Sequence, residues 1–148
     1  MIRPNQGIVY TPVTTFTPTV TLVGGAGNTV PVYTTNTGRY ERIGNRIFVE
    51  VALNGDGGAE GAGTGVVNIA LPVAASASIS SLIIPIGQVA NGTEEQPLYG
   101  LITANGTTLT LYKQSDTAGA LTSDIVTVTG ADQDSTTRAI NARFTYEV

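Results

Sequence analysis

Residues 38–53 read Gly38-Arg39-Tyr40-Glu41-Arg42-Ile43-Gly44-Asn45-Arg46-Ile47-Phe48-Val49-Glu50-Val51-Ala52-Leu53, and this stretch decides the fold class. Ile47, Val49, Val51 and Leu53 fall on one face, with Phe48, Glu50 and Ala52 on the other. A period of two is what a strand with one buried face requires. Gly44-Asn45 sits between this run and residues 39–43, and a two-residue type I′ turn there predicts a hairpin. Tyr40 and Ile43, three positions apart, fall on opposite faces. Arg39, Arg42 and Arg46 are three of the chain's seven basic residues. They can pair with Glu41 and Glu50 on a solvated hairpin. Alternatively, one or two of them meet another subunit, where planar guanidinium groups suit carboxylates and backbone carbonyls.

The same alternation recurs outward from this hairpin. Ile140, Ala142, Phe144, Tyr146 and Val148 alternate with Asn141, Arg143, Thr145 and Glu147. Phe16, Pro18, Val20 and Leu22 alternate with threonines, and Leu109 and Leu111 do likewise. Turn signals separate the runs: Gly24-Gly25-Ala26-Gly27-Asn28, Asn36-Thr37-Gly38, Asn54-Gly55, Asn91-Gly92 and Asn105-Gly106. The last predicts a type I′ turn joining residues 98–104 to 107–113. Residues 54–65 are Gly-rich and read as a mobile loop. Residues 70–81 hint at a turn or two of helix, weakened by Pro72 and several serines. The expectation is an all-β fold with little or no helix: a jelly-roll-like two-sheet β-sandwich of roughly eight to ten strands. It forms one domain over residues 13–148, preceded by an extended arm, residues 1–12, that carries Pro4 and Pro12.

Composition narrows the function. The 148 residues include no His, Cys or Trp. That excludes a Ser–His–Asp triad, a thiol nucleophile, Cys/His zinc sites and disulfides. A net charge of −4 with seven basic residues argues against a nucleic-acid partner, which demands a cationic surface. The longest apolar stretch, residues 82–86, is interrupted by Pro85 and followed by Gly87, too short to cross a bilayer. No apolar leader follows Met1, so a protein made in the cytoplasm is expected. We expect no enzyme, no catalytic residue, no cofactor and no bound metal.

Two acidic loops stand as candidate exposed binding loops. Asp56 and Glu60 form one pair, Asp132 and Asp134 the other. Each holds only fragments of a calcium-loop pattern, so solvated loops are expected. No carboxylate pair is selected for glycosidic hydrolysis. The glycine clusters lack the Gly-Lys-Ser/Thr of a phosphate loop. The six tyrosines are scattered and suit the core or subunit contacts.

One ordered set of motifs is more specific. Tyr10-Thr11-Pro12 opens it, the Gly38-to-Arg46 hairpin follows, and Ala70-Leu71-Pro72 with Ala74-Ala75 closes it. Over residues 10–75 this resembles a β-sandwich domain of tailed-bacteriophage virion proteins, found at tail-fibre ends, other appendages and in capsid decoration-type proteins. The motif begins a few residues after Met1, which points to a free-standing accessory protein. The resemblance implies a non-enzymatic virion-surface protein, a homo-oligomer and most often a trimer. We expect a capsid decoration (cement) protein bound to the major capsid protein or another virion protein. Its candidate subunit or capsid contacts are Ile2, Arg3, Pro4, Ile8 and Tyr10 in and beside the arm, and Arg39, Arg42 and Arg46 in the hairpin. The alternative is a tail-tip receptor-binding module whose loops at residues 54–65 and 130–135 touch a host surface glycan.

Overall fold

The alternating stretch forms a hairpin of β3 (Thr35–Ile43) and β4 (Arg46–Asp56) in a computed structural model that describes residues 8, 10–79, 83–115 and 125–148. Before it come β1 (Tyr10–Phe16) and β2 (Val20–Val23). After it come β5 (Val66–Ala70), β6 (Ile84–Asn91), β7 (Glu94–Leu101), β8 (Thr108–Gln114), β9 (Ile125–Thr127) and β10 (Thr137–Glu147). Among the described residues the only helical segment is a 3-10 turn at Gly130–Gln133. The protein is thus nearly all β, with ten strands among the described residues.

All pairings between strands are antiparallel, in the order β1-β3-β4-β10-β6-β7-β8-β5-β2. β9 pairs with β8 beyond the end of β5, so β5 and β9 share one edge of β8. Val128 completes that edge, donating its N–H to Leu111 and accepting from Val67. The two end strands, β1 and β2, are separated in sequence only by Thr17, Pro18 and Thr19. Nine strands laid flat would hold their ends roughly 38 Å apart. The four peptide steps from Phe16 to Val20 reach at most about 14 Å. The sheet must therefore curl, and it does, as one continuous antiparallel sheet.

The concave side is the core. β4 contributes Ile47, Val49, Val51 and Leu53, and β10 contributes Ile140, Ala142, Phe144 and Tyr146. Val67 and Ile69, Ile86 and Val89, Leu98, Leu109 and Leu111 arrive from the strands between and beyond. Full burial of each large aliphatic side chain stabilises the fold by about 1.5–3 kcal/mol. Residues 71–76 cross one end of this layer. Ala75 donates to Gly106, Ser76 to Glu147, and the Tyr146 hydroxyl to the Val73 carbonyl.

Local geometry departs from the sequence in four places. At Gly44-Asn45 only Gly44 has a left-handed φ, +64°, which is the type II′ pattern. Asn105-Gly106 is not a two-residue I′ turn. Asn105, at φ +55°, is the third residue of a Thr103–Gly106 turn closed by the Gly106 N–H on Thr103, inside a longer loop. Asn36-Thr37-Gly38 and Asn54-Gly55 lie within β3 and β4 rather than between strands. Of residues 54–65, read as a mobile loop, 54–56 belong to β4 and the rest are tied down. Thr29 and Ala62 exchange two hydrogen bonds, Gly61 donates to Gln133, Thr64 to Ala26, and Gly65 to the Asn28 side chain.

β1 begins at Tyr10, so Tyr10, Thr11 and Pro12, placed in the arm by sequence, pair with β3 or lie in its bulge. The register slips by one between Thr11 and Thr14, around Pro12, which lacks the N–H a regular ladder needs.

Candidate functional site

The convex face of β1, β3, β4 and β10 gathers the hairpin residues. Directly opposed residues of an antiparallel pair point to the same side. The register therefore aligns three rows across these strands. One is Tyr10, Ile43, Arg46 and Glu147; the next is Glu41, Phe48 and Thr145; the third is Thr15, Arg39, Glu50 and Arg143.

In the third row Glu50 bridges two arginines. Arg39 donates from Nε at 2.8 Å and Nη2 at 2.5 Å to one Glu50 oxygen, and Arg143 donates at 3.0 Å to the other. These bonds, Arg39's first and Arg143's next, hold the Glu50 carboxyl below its ordinary range. The trio is solvent-exposed, so it sets geometry more than stability. The hairpin sequence offers Glu41 and Glu50 to its three arginines as a set and does not include Arg143, which arrives from a distant strand.

Beside this row lies an apolar patch. Tyr10 and Val13 are each 60% exposed, Ile43 is 44% and Phe48 38%. Ile8, just before β1, is also exposed. An open groove of about 670 Å³ runs along the face, lined by Val13, Phe48, Glu50, Ile84, Pro85 and Arg143 among others. Arg42 points elsewhere: its Nε donates to the Gly44 carbonyl and braces the turn. Arg46 stands exposed at the turn's far side. Ile2, Arg3 and Pro4 lie outside the described residues.

The acidic loop residues do not assemble into a cation cage. Asp56 and Glu60 are exposed. Asp132 meets Lys113 at 3.1 Å and accepts from the Thr129 N–H and hydroxyl. Asp134 accepts from the Asn91 amide at 2.8 Å. Among the described residues, no three acidic side chains converge as metal ligands.

A residue that sequence reading passed over organises this end of the molecule. Arg138 is only 2% exposed, and its Nη atoms donate to the carbonyls of Ser135, Val32, Gly57 and Ala59. Its guanidinium carbon lies 5.6 Å from the centre of the Tyr33 ring. The Tyr33 hydroxyl donates to Gln133, a fully buried amide that in turn donates to Asp132 and Ala90 carbonyls. Burial pushes the Tyr33 hydroxyl far above its usual range, against the pull of the Arg138 cation. One buried cation thus fastens the loop at residues 57–59 to Val32 and Ser135. The available signal was parity, since Arg138 shares its face with Ile140, Ala142 and Phe144.

Comparison with family models, curated proteins and solved structures yields no match for this chain.

Proposed function

We propose that this chain is a non-enzymatic bacteriophage virion structural protein, a capsid decoration protein that acts as a homo-oligomer, with three copies clustered where capsomers meet. Its curled sheet is then a jelly-roll-like variant in which the two halves of the strand order face each other as layers. The observation that carries the reading is the convex face of β1, β3, β4 and β10. Exposed Tyr10 and Val13 on β1, Ile43 on β3 and Phe48 on β4 lie there beside the ordered Arg39–Glu50–Arg143 trio. An apolar centre with a polar rim is the anatomy of a protein contact surface. The motif run over residues 10–75 supplies the virion context. In this reading the arm lies on the shell or on a neighbouring subunit.

The test is reconstitution on purified heads stripped of the protein. The full chain is expected to occupy the heads in a fixed stoichiometry, and a chain lacking residues 1–6 to lose occupancy while keeping its circular-dichroism spectrum. Unchanged occupancy of the truncated chain overturns the role of the arm. Binding to host cells with none to heads overturns the decoration reading.

A further inference from the structure

The charges on the convex face have an antisymmetry that fits a second copy of the same face. Along β4, Arg46 and Glu50 lie two residues to either side of Phe48. Along β10, opposite them, Glu147 and Arg143 lie two residues to either side of Thr145. The signs are thus reversed between the two ends of β4 and reversed again on β10. A two-fold axis running across the strands through the Phe48–Thr145 row exchanges those ends. It sets Arg46 against the partner's Glu50 and Glu147 against the partner's Arg143. Phe48 then meets the partner's Phe48 at the axis.

We infer that this face is an isologous contact between two copies of the chain, centred on Phe48 and held in register by Arg46 with the partner's Glu50 and Glu147 with the partner's Arg143. Three features support it beyond exposure. The face carries three acids (Glu41, Glu50, Glu147) and three bases (Arg39, Arg46, Arg143), so two copies approach without net repulsion. The Arg39–Glu50–Arg143 trio is already ordered within one copy, which lowers the entropy lost on contact. Phe48 lies on the middle row, with exposed Ile43 in the adjoining row beside Arg46 and exposed Val13 in the β1 bulge, so apolar side chains flank the proposed axis. Glu41 faces its own copy near the axis, beside the partner's Arg39. A self-complementary patch of this kind closes pairs, as two-fold interfaces do. The inference concerns pairs formed by the purified protein in solution and does not rest on the virion reading, in which such a pair would open before the same face meets the shell or its neighbours.

The experiment is sedimentation equilibrium of the parent and three variants over a concentration series. Glu147→Arg sets like charges across both symmetry-related contacts, as does Arg143→Glu, and each variant alone is expected to show half the parent's mass. An equimolar mixture of the two is expected to regain the parent's mass, because all four contacts are then complementary. Phe48→Ser is expected to halve the mass and stay halved in either mixture. Unfolding midpoints show whether each variant is folded; recovery in the mixture requires that both are. A parent that stays monomeric at its highest soluble concentration overturns the inference. So does an assembly whose mass ignores the charge variants, or a mixture that fails to recover.

Discussion

Arg138 and Gly55 occupy one space between them: they are directly opposed in the β4–β10 ladder, and a Cβ on Gly55 would lie 2.7 Å from Arg138 Cγ and 2.8 Å from its Nε. The long cation reaches the Val32, Gly57 and Ala59 carbonyls because the facing residue has no side chain. Its Nε, pressed against Gly55, has no acceptor among the described residues. The four carbonyls around the Nη atoms carry the stabilisation.

Three substitutions test this arrangement. Arg138→Ala removes the donor to the part-buried Ser135, Val32 and Gly57 carbonyls, while Ala59 still accepts from the Val32 N–H, and we expect a loss of roughly 3 kcal/mol, at the upper end for hydrogen bonds to a charged group. Arg138→Lys restores charge but not the planar fork, so it recovers only part. Gly55→Ala drives a methyl group into the guanidinium and should cost about as much as other overpacked sites, ~1–3 kcal/mol. Urea unfolding of the three variants measures all of these; a Gly55→Ala protein as stable as the parent refutes the close fit.

Gly87 is a second position set by close approach. A Cβ there would lie 1.9 Å from the Asn141 carbonyl oxygen of β10, beside the bulge in the pairing of β6 with β7. Backbone, unlike a flexible side-chain end, has little room to yield. Gly87→Ala is expected to lower stability by at least about 2 kcal/mol, within the range for overpacking. Hydrogen exchange at β6 and β10 should rise before exchange elsewhere.

Phe16 covers Gly38 across the β1–β3 pair, and its ring meets Tyr40 edge-on with centroids 6.0 Å apart. Phe16→Ala uncovers that glycine and removes the aromatic pair. The ring is only partly buried, so we expect about 2 kcal/mol, below the ~3–5 kcal/mol of a fully buried Phe→Ala change. Thermal unfolding measures it. Tyr40→Leu added to Phe16→Ala should cost less than it does in the parent, because the ring contact is already gone.

Alkaline pH should weaken the fold through two tyrosines. Burial raises the Tyr146 hydroxyl to about 12, and burial raises Tyr33 further. In the unfolded chain both titrate near the ordinary tyrosine value of 10.0. Between these values the folded state holds more protons than the unfolded one, so stability falls as pH rises. The contribution is fully present below pH 10 and is lost progressively from there upward. Unfolding free energies measured from neutral to alkaline pH should show the decline, and Tyr33→Phe with Tyr146→Phe should flatten it. Glu50 acts in the opposite direction: its lowered carboxyl favours the fold above its unfolded value of 4.5, and that contribution fades as pH falls through the folded value.

Local parity made the β3–β4 hairpin and the β10 alternation legible, because a period of two survives whatever the strand pairs with. Strand order was not legible. Nothing near residue 140 reveals that β10 lies between β4 and β6, since that choice is made by core packing across distant residues. Gly38 and Gly55 misled for a related reason. Each looks like half of an Asn/Gly turn, yet each is required by a bulky neighbour, Phe16 or Arg138, from another strand. At the candidate site, Arg39 with Glu50 follows from hairpin register alone, whereas Arg143 needed the tertiary fold. Arg138 was readable from its parity with Ile140, but an arginine on a buried face is unusual enough to be passed over.

The position of β10 also constrains how the molecule is made. It follows every other strand in sequence, yet it is the seam between β4 and β6. As the chain leaves the ribosome, the β3–β4 hairpin and the β6–β7–β8 meander can each form early. Each must then wait with an apolar edge open until the seam strand arrives. That interval is when an unpaired edge is most exposed to a neighbouring nascent chain. A protein produced in large numbers on crowded polysomes would meet its chief aggregation hazard there, before it is ever complete.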